Sequence, residues 1–279
     1  MSWWEALILG LVEGITEYLP ISSTGHLILT AWLLGFANDP DRWAAAFTFE
    51  IAIQGGAILA VVWLYRSRLL QMMAGVVGRD ASGRRLAILI GLAFAPAAVL
   101  GPLLDEHIEQ RLNGPWPVAW ALFVGGLVML AVVAWQRRGA DPKLGLSDLT
   151  WRHALLIGLA QCVAMWPGTS RSMMTIVAAL LCGLSAVAAA EFSFLLGLVT
   201  LSAATGYKLL TGGADMLSQF GLSSFLIGFA AATVSAALAV RWFVAFLNRR
   251  GLAPFAWYRL VVAGILATAL LWGGYDLPE

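Results

Sequence analysis

Charge is scarce in this sequence. Of its 279 residues, 17 are Lys or Arg and 16 are Asp or Glu, so only 12% are charged and the net charge is +1. A soluble domain carries about 25% charged residues. No basic stripe is present, which excludes nucleic acid as a partner. Cysteine is nearly absent too: Cys162 and Cys182 stand in apolar runs. They read as small core residues, neither a disulfide nor a metal pair. No basic cluster precedes the first apolar run, which itself carries glutamates, so no cleavable signal peptide is expected. No polar segment is long enough to fold as a partner-binding module outside a membrane.

What the chain has instead is apolar surface, with 60% hydrophobic residues, a mean hydropathy of +0.82 and 13 tryptophans. Lipid is the solvent such a chain requires, and tryptophan suits the two membrane interfaces. A span takes roughly 20 apolar residues. Six segments qualify: 48–65, 86–104, 117–136, 190–207, 222–247 and 254–273. Two further stretches, 3–34 and 153–185, are broken by Pro20 to Gly25 and by Pro167 to Ser172. Proline followed by small polar residues ends a helix, and freed backbone groups survive at membrane depth only inside protein or beside a wet cavity. Both stretches are expected to be re-entrant hairpins. The fold class is all-α: one integral membrane domain, 1–279, of six spans plus two hairpins.

Loop charge gives orientation. Arg66, Arg68, Arg79, Arg84 and Arg85, then Arg137, Arg138, Lys143 and Arg152, then Arg241, Arg249 and Arg250 fall on one side. The other side holds Arg42, Arg111 and Lys208 against Asp39, Asp41, Asp105, Glu106, Glu109, Asp215, Asp276 and Glu279. The first hairpin is then expected to enter from outside and the second from the cytoplasm, with both termini outside.

The chain also repeats. GLVEGITEYLPISST from Gly10 parallels GLAQCVAMWPGTSRS from Gly158, with one residue fewer before the proline. Phe47-Thr48-Phe49 parallels Phe192-Ser193-Phe194, and Pro117-Val118-Ala119-Trp120 parallels Pro254-Phe255-Ala256-Trp257. Repeat one covers about 1–136 and repeat two about 153–273. Each holds one hairpin and three spans, an odd number, so the second is expected to be inverted, with a site where the broken helices meet.

Ionisable groups at membrane depth are costly and functional by default. Here they are Glu13, Glu17, His26, Glu50, Arg171, Glu191 and Arg259. Glu13 and Glu17, four residues apart, share a helix face. Two such acids in an apolar setting need a cation or a proton, and Mg²⁺ or Ca²⁺ is the natural cation where phosphate is also bound. Ser22, Ser23, Thr24 and Gly25 open a helix, where free N–H groups and the dipole attract anions. Alone they equally well cap a helix. His26 lies one turn after Ser23, and serves as an actor there or as a packing histidine. Thr169, Ser170 and Arg171 open the second broken helix, and Arg171 can grip a phosphate bidentately. Glu50 and Gln54 either support this set, add a ligand, or simply end a helix. Glu191 reads as structural, and Arg259 as a bridge between elements.

The repeats differ chemically: Glu13 corresponds to Gln161 and Glu17 to Met165. Acids and histidine on one side with arginine on the other suit phosphoryl transfer, which is mostly positioning and charge neutralisation.

In these blocks, together with TFEIAIQGGAILAVV and EFSFLL, the sequence resembles the undecaprenyl-pyrophosphate phosphatase family, also called bacitracin-resistance proteins. The resemblance runs over nearly the whole chain. It implies six full spans with two re-entrant helix pairs in interlocked inverted repeats, in the bacterial inner membrane, and a site open to the periplasm. It implies that Glu13, Glu17, Ser23, Thr24, His26, Ser170 and Arg171 line that site. A divalent metal, a polyprenyl diphosphate substrate and a role in recycling the lipid carrier for cell-wall synthesis follow from it as well. One departure is Thr169-Ser170-Arg171-Ser172-Met173, where some members have Phe before Ser-Arg and Gly-Ala after it.

The sequence leaves the attacking group open among Ser23, His26 and water. Two rival readings remain: a secondary transporter or lipid flippase, suggested by the repeat, and a non-catalytic membrane scaffold, which leaves the pairing of acids in one break with arginine in the other unexplained. A homodimer is compatible with the spans.

Overall fold

A computed structural model describes residues 1–112, 114–138 and 143–272. The expected end of the last span at residue 273, Asp276 and Glu279 lie outside the described residues. So do the side chains of Phe47, Asp105, Glu106, Glu109 and Asp215. The described chain is helical in the order α1 (Trp3–Thr16), α2 (Ser23–Leu33), α3 (Pro40–Leu64), α4 (Arg66–Val76), α5 (Ala81–Leu112), α6 (Pro115–Arg137), α7 (Trp151–Val163), α8 (Arg171–Leu181), α9 (Ala186–Phe220), α10 (Leu222–Arg250) and α11 (Ala253–Trp272).

Among the described residues, six helices are long and apolar enough to cross a membrane: α3, α5, α6, α9, α10 and α11. Each contains one of the six segments read from the sequence, save Tyr65, which caps the end of α3, and residue 273. Their starts are chemically marked. Asp39 caps α3, with Pro40 in its first turn, and the Ser185 hydroxyl caps α9 through the Ala188 N–H. Pro96 and Pro102 sit inside α5, which neighbouring helices make tolerable within a membrane. Large apolar side chains such as Val99, Leu238 and Ile265 stay exposed on the outer faces, as lipid contact requires. Trp63, Trp116, Trp135 and Trp272 mark span ends.

Helices α1, α2, α7 and α8 have 14, 11, 13 and 11 residues. At 1.5 Å per residue none reaches across a hydrocarbon core of roughly 30 Å. Instead they pack among the spans. Glycine makes the approach possible: a Cβ on Gly10 or Gly14 of α1 would strike the Gly228 or Ala232 backbone of α10, and one on Gly158 of α7 would strike Ala93 of α5. Gly10 and Gly158 are counterparts in the repeat. The helix that opens each half therefore packs on the second span of the other half.

Candidate active site

The broken helices begin alike. Ser22 precedes α2 with φ 75°, ψ 106°, and Ser170 precedes α8 with φ 75°, ψ 112°. They are the only non-glycine residues with positive φ among those described. Such a conformation is strained for a serine, and each is held by its own cap: the Ser22 hydroxyl accepts from the Gly25 N–H and the Ser170 hydroxyl from the Met173 N–H. Ser23 and Arg171 are thus the first residues of equivalent helices.

Both converge on Glu17. The Ser23 hydroxyl donates to Glu17 Oε2 at 2.7 Å, and Arg171 Nη2 donates to Glu17 Oε1 at 3.0 Å. The ion pair is sheltered, the two side chains being 11% and 7% exposed. Arg171 is fixed further by Nη1 donating to the Ser193 carbonyl on α9 and by its guanidinium lying 5.1 Å from the Tyr18 ring centre. The guanidinium occupies the space above Gly197, where any Cβ would overlap it.

Glu13 is fully buried, and neither of its carboxylate oxygens has a hydrogen-bond partner. It lies within electrostatic reach of Glu17, Glu50 and Arg171. Glu50, on α3, thus joins the acidic group, whereas Gln54 is turned away and accepts from Thr205 on α9 at 2.8 Å. Thr169 is buried and its N–H donates to the Trp166 carbonyl. The Ser170 hydroxyl lies 3.0 Å from that of Ser172, which donates to the Leu19 carbonyl at 2.7 Å and so locks one helix break to the other. Gly25 faces Leu122, which leaves no room for a Cβ. Among the described residues no side-chain partner engages Thr24.

His26 is directed away from Ser23. Its Nδ1 lies 2.6 Å from the Ser22 carbonyl and its Nε2 lies 2.7 Å from the Tyr258 hydroxyl. A carbonyl only accepts, so Nδ1 carries the hydrogen and Nε2 accepts from Tyr258. The two rings stack with an angle of 5° between them. Arg259, next in sequence and fully buried, donates to the Pro20, Ala121, Leu122 and Gly168 carbonyls, bridging both helix breaks and α6. Glu191 is paired with Arg68 at 2.6 Å.

The residue-by-residue reading missed Tyr18, Tyr258 and Gly197. Tyr18 adjoins Glu17, and a lone glycine in the apolar run of α9 signals close approach. Nothing local marks Tyr258, which meets His26 across 232 residues of chain.

Residues 6–265 match the family model described as Bacitracin resistance protein BacA. The chain belongs to this family. Its relatives in the BacA family include the undecaprenyl-diphosphatase of Sorangium cellulosum (strain So ce56), 46% identical over 270 residues, 95% of this chain and 86% of that one. The undecaprenyl-diphosphatase of Methylococcus capsulatus is 45% identical over 274 residues, covering 98% and 96% of the two chains. That of Acinetobacter baumannii (strain AYE) is 43% identical over 267 residues, covering 96% and 95%.

Proposed function

We infer that this protein is a membrane phosphatase that hydrolyses undecaprenyl diphosphate to undecaprenyl phosphate and inorganic phosphate. The observation that carries this reading is Glu17 held at one oxygen by Ser23 and at the other by Arg171. Membership of the BacA family and the names of its relatives supply the lipid diphosphate as the substrate class.

The first N–H groups of α2 and α8 have no intrahelical partner and favour anions. With the Arg171 guanidinium they hold the terminal phosphate. Glu17 accepts the Ser23 hydroxyl hydrogen, the arrangement of a nucleophile and its base. Ser23 Oγ attacks the terminal phosphorus and its proton passes to Glu17. The bond from that phosphorus to the bridging oxygen breaks, and undecaprenyl phosphate leaves. Water then cleaves the phosphoserine and frees inorganic phosphate. His26, turned from this pair toward Tyr258, serves in this reading as a proton carrier rather than as the attacking atom.

Glu13, with two buried and unpartnered oxygens, fits a divalent cation. Glu17 and Glu50 stand near it, and an all-oxygen set suits Mg²⁺ or Ca²⁺. Among the described residues no three acid or histidine side chains gather as a metal cluster, so Glu13 and Glu17 are the residues that would hold such an ion. Bound there, the ion would supply neutralisation of charge on the phosphate oxygens.

The two short helix pairs are re-entrant in this reading, in the bacterial inner membrane, with the site facing the periplasm as the loop charges favour.

The deciding experiment is phosphate release from undecaprenyl diphosphate by purified protein in detergent, with Mg²⁺, with Ca²⁺ and with EDTA. Metal-dependent release that collapses in Glu17→Gln and Arg171→Ala is expected. A folded wild-type protein that releases none would overturn the phosphatase and turn attention to lipid flux in sealed vesicles.

A further inference from the structure

Beside the site, between α5, α7 and α9, lies a cavity of about 430 Å³. Small residues, Ala97, Ala98 and Gly101 on α5 and Ala203 and Ala204 on α9, line part of it, beside the larger Phe94, Met165, Leu201, Tyr207 and Lys208. Its outer end is open, because Ala98, Pro102, Ala203 and Ala204 are exposed on the faces of two spans. Its inner end is Gln161 and Arg171.

That inner end carries unmet polar groups. Gln161 is 3% exposed; its Oε1 accepts from Thr200, and its Nε2 has no partner. Arg171 Nε is also buried and unpartnered, although Nη1 and Nη2 are both engaged. A buried donor left without an acceptor is costly, and a bound oxygen would relieve it. Two such donors at the blind end of an apolar cavity match a molecule with an oxygen-rich head and a hydrocarbon body.

We propose that this cavity holds the first isoprenoid units of the lipid diphosphate, with Gln161 Nε2 and Arg171 Nε taking oxygens of the phosphate that stays on the lipid. The proposal rests on the phosphatase reading above. Continuity through Arg171 commits the cavity to this occupant. The same guanidinium reaches Glu17 in the catalytic set with Nη2 and lines the cavity. A head held by Arg171 therefore brings its own tail to these walls. Gln161 then stands where the other repeat has Glu13. A neutral amide serves where a lipid-bearing phosphate must be bound, and an acid serves where a cation must be.

The test uses the full-length protein in detergent, with undecaprenyl and farnesyl diphosphates as substrates. Ala98→Phe and Ala204→Phe, which fill the outer cavity from two different helices, are expected to raise KM about tenfold with kcat within about twofold of wild type. Val234→Phe, on an exposed face of α10, is expected to match wild type. Gln161→Leu should weaken inhibition by undecaprenyl phosphate about tenfold and leave inhibition by inorganic phosphate unchanged, because only the retained phosphate meets the amide. Unchanged KM in both cavity variants, or equal shifts for the two products in Gln161→Leu, would overturn the proposal. Should the Phe variants not fold, a farnesyl diphosphate carrying a photoreactive group on its first isoprene unit decides. Labelling on α5 or α9 supports the cavity, and labelling elsewhere, as when a bilayer acyl chain fills it, sinks it. A wild type that releases no phosphate would count against the phosphatase reading itself, so the two failures are distinguishable.

Discussion

Ser23 and Arg171 begin equivalent helices in the two halves of the chain, and they bind opposite oxygens of one carboxylate, that of Glu17. The same backbone device, a serine held at φ 75°, delivers a hydroxyl from one side and a guanidinium from the other.

Because Glu17 accepts the Ser23 hydrogen, Glu17→Gln should lower kcat by roughly 10²–10⁴-fold, the usual worth of a general base. Ser23→Ala should abolish a phosphoenzyme trapped by rapid quench in neutral denaturant, which preserves both phosphoserine and phosphohistidine, and His26→Ala should leave one detectable. A phosphohistidine in place of a phosphoserine would reverse the assignment.

Glu13 should act through metal. Glu13→Gln is expected to raise the Mg²⁺ or Ca²⁺ concentration for half-maximal activity by about tenfold or more, since one charged ligand is lost. A titration curve that superimposes on wild type would remove Glu13 from the ion's shell.

Gly197→Ala tests positioning without touching a functional group. The added Cβ would overlap the guanidinium of Arg171, and a displacement of about 1 Å can cost on the order of 10²-fold in rate. Activity should fall at least tenfold with little change in Tm. Wild-type activity would mean that Arg171 needs no such seat.

Tyr258→Phe removes the only hydroxyl on His26 Nε2 among the described residues. Rate against pH should change shape, with a drop of about threefold to tenfold at neutral pH, smaller than for a lost general base. An identical profile would confine Tyr258 to packing.

Arg259→Met keeps bulk but strips four carbonyls of a donor. Losses of roughly 2–4 kcal/mol are expected, read as a lower Tm and poor yield. Normal stability with lost activity would instead give Arg259 a chemical role.

The spans were legible because roughly 20 apolar residues leave little alternative in a membrane. The breaks at Pro20 and Pro167 were legible because proline cannot continue a helix. Glu13, Glu17 and Arg171 stood out as candidates by the cost of charge at that depth, and Ser23 by its place at a helix start. What sequence could not reveal is who faces whom. Gln54 shares a helix with Glu50, yet it answers Thr205. His26 sits one turn from Ser23, yet it answers Tyr258. Helical periodicity gives neighbours on the same helix, whereas these partners depend on the rotation of α9 and α11 against it, which packing of distant segments sets.

The tie between Arg259 and the Pro20 carbonyl spans 239 positions, and α1 rests its glycines on α10. During synthesis α1 and α2 are therefore made first and seated last. A nascent chain halted before Leu222 lacks the α10 face on which α1 packs, and it should fall to membrane quality-control proteases that spare the finished molecule.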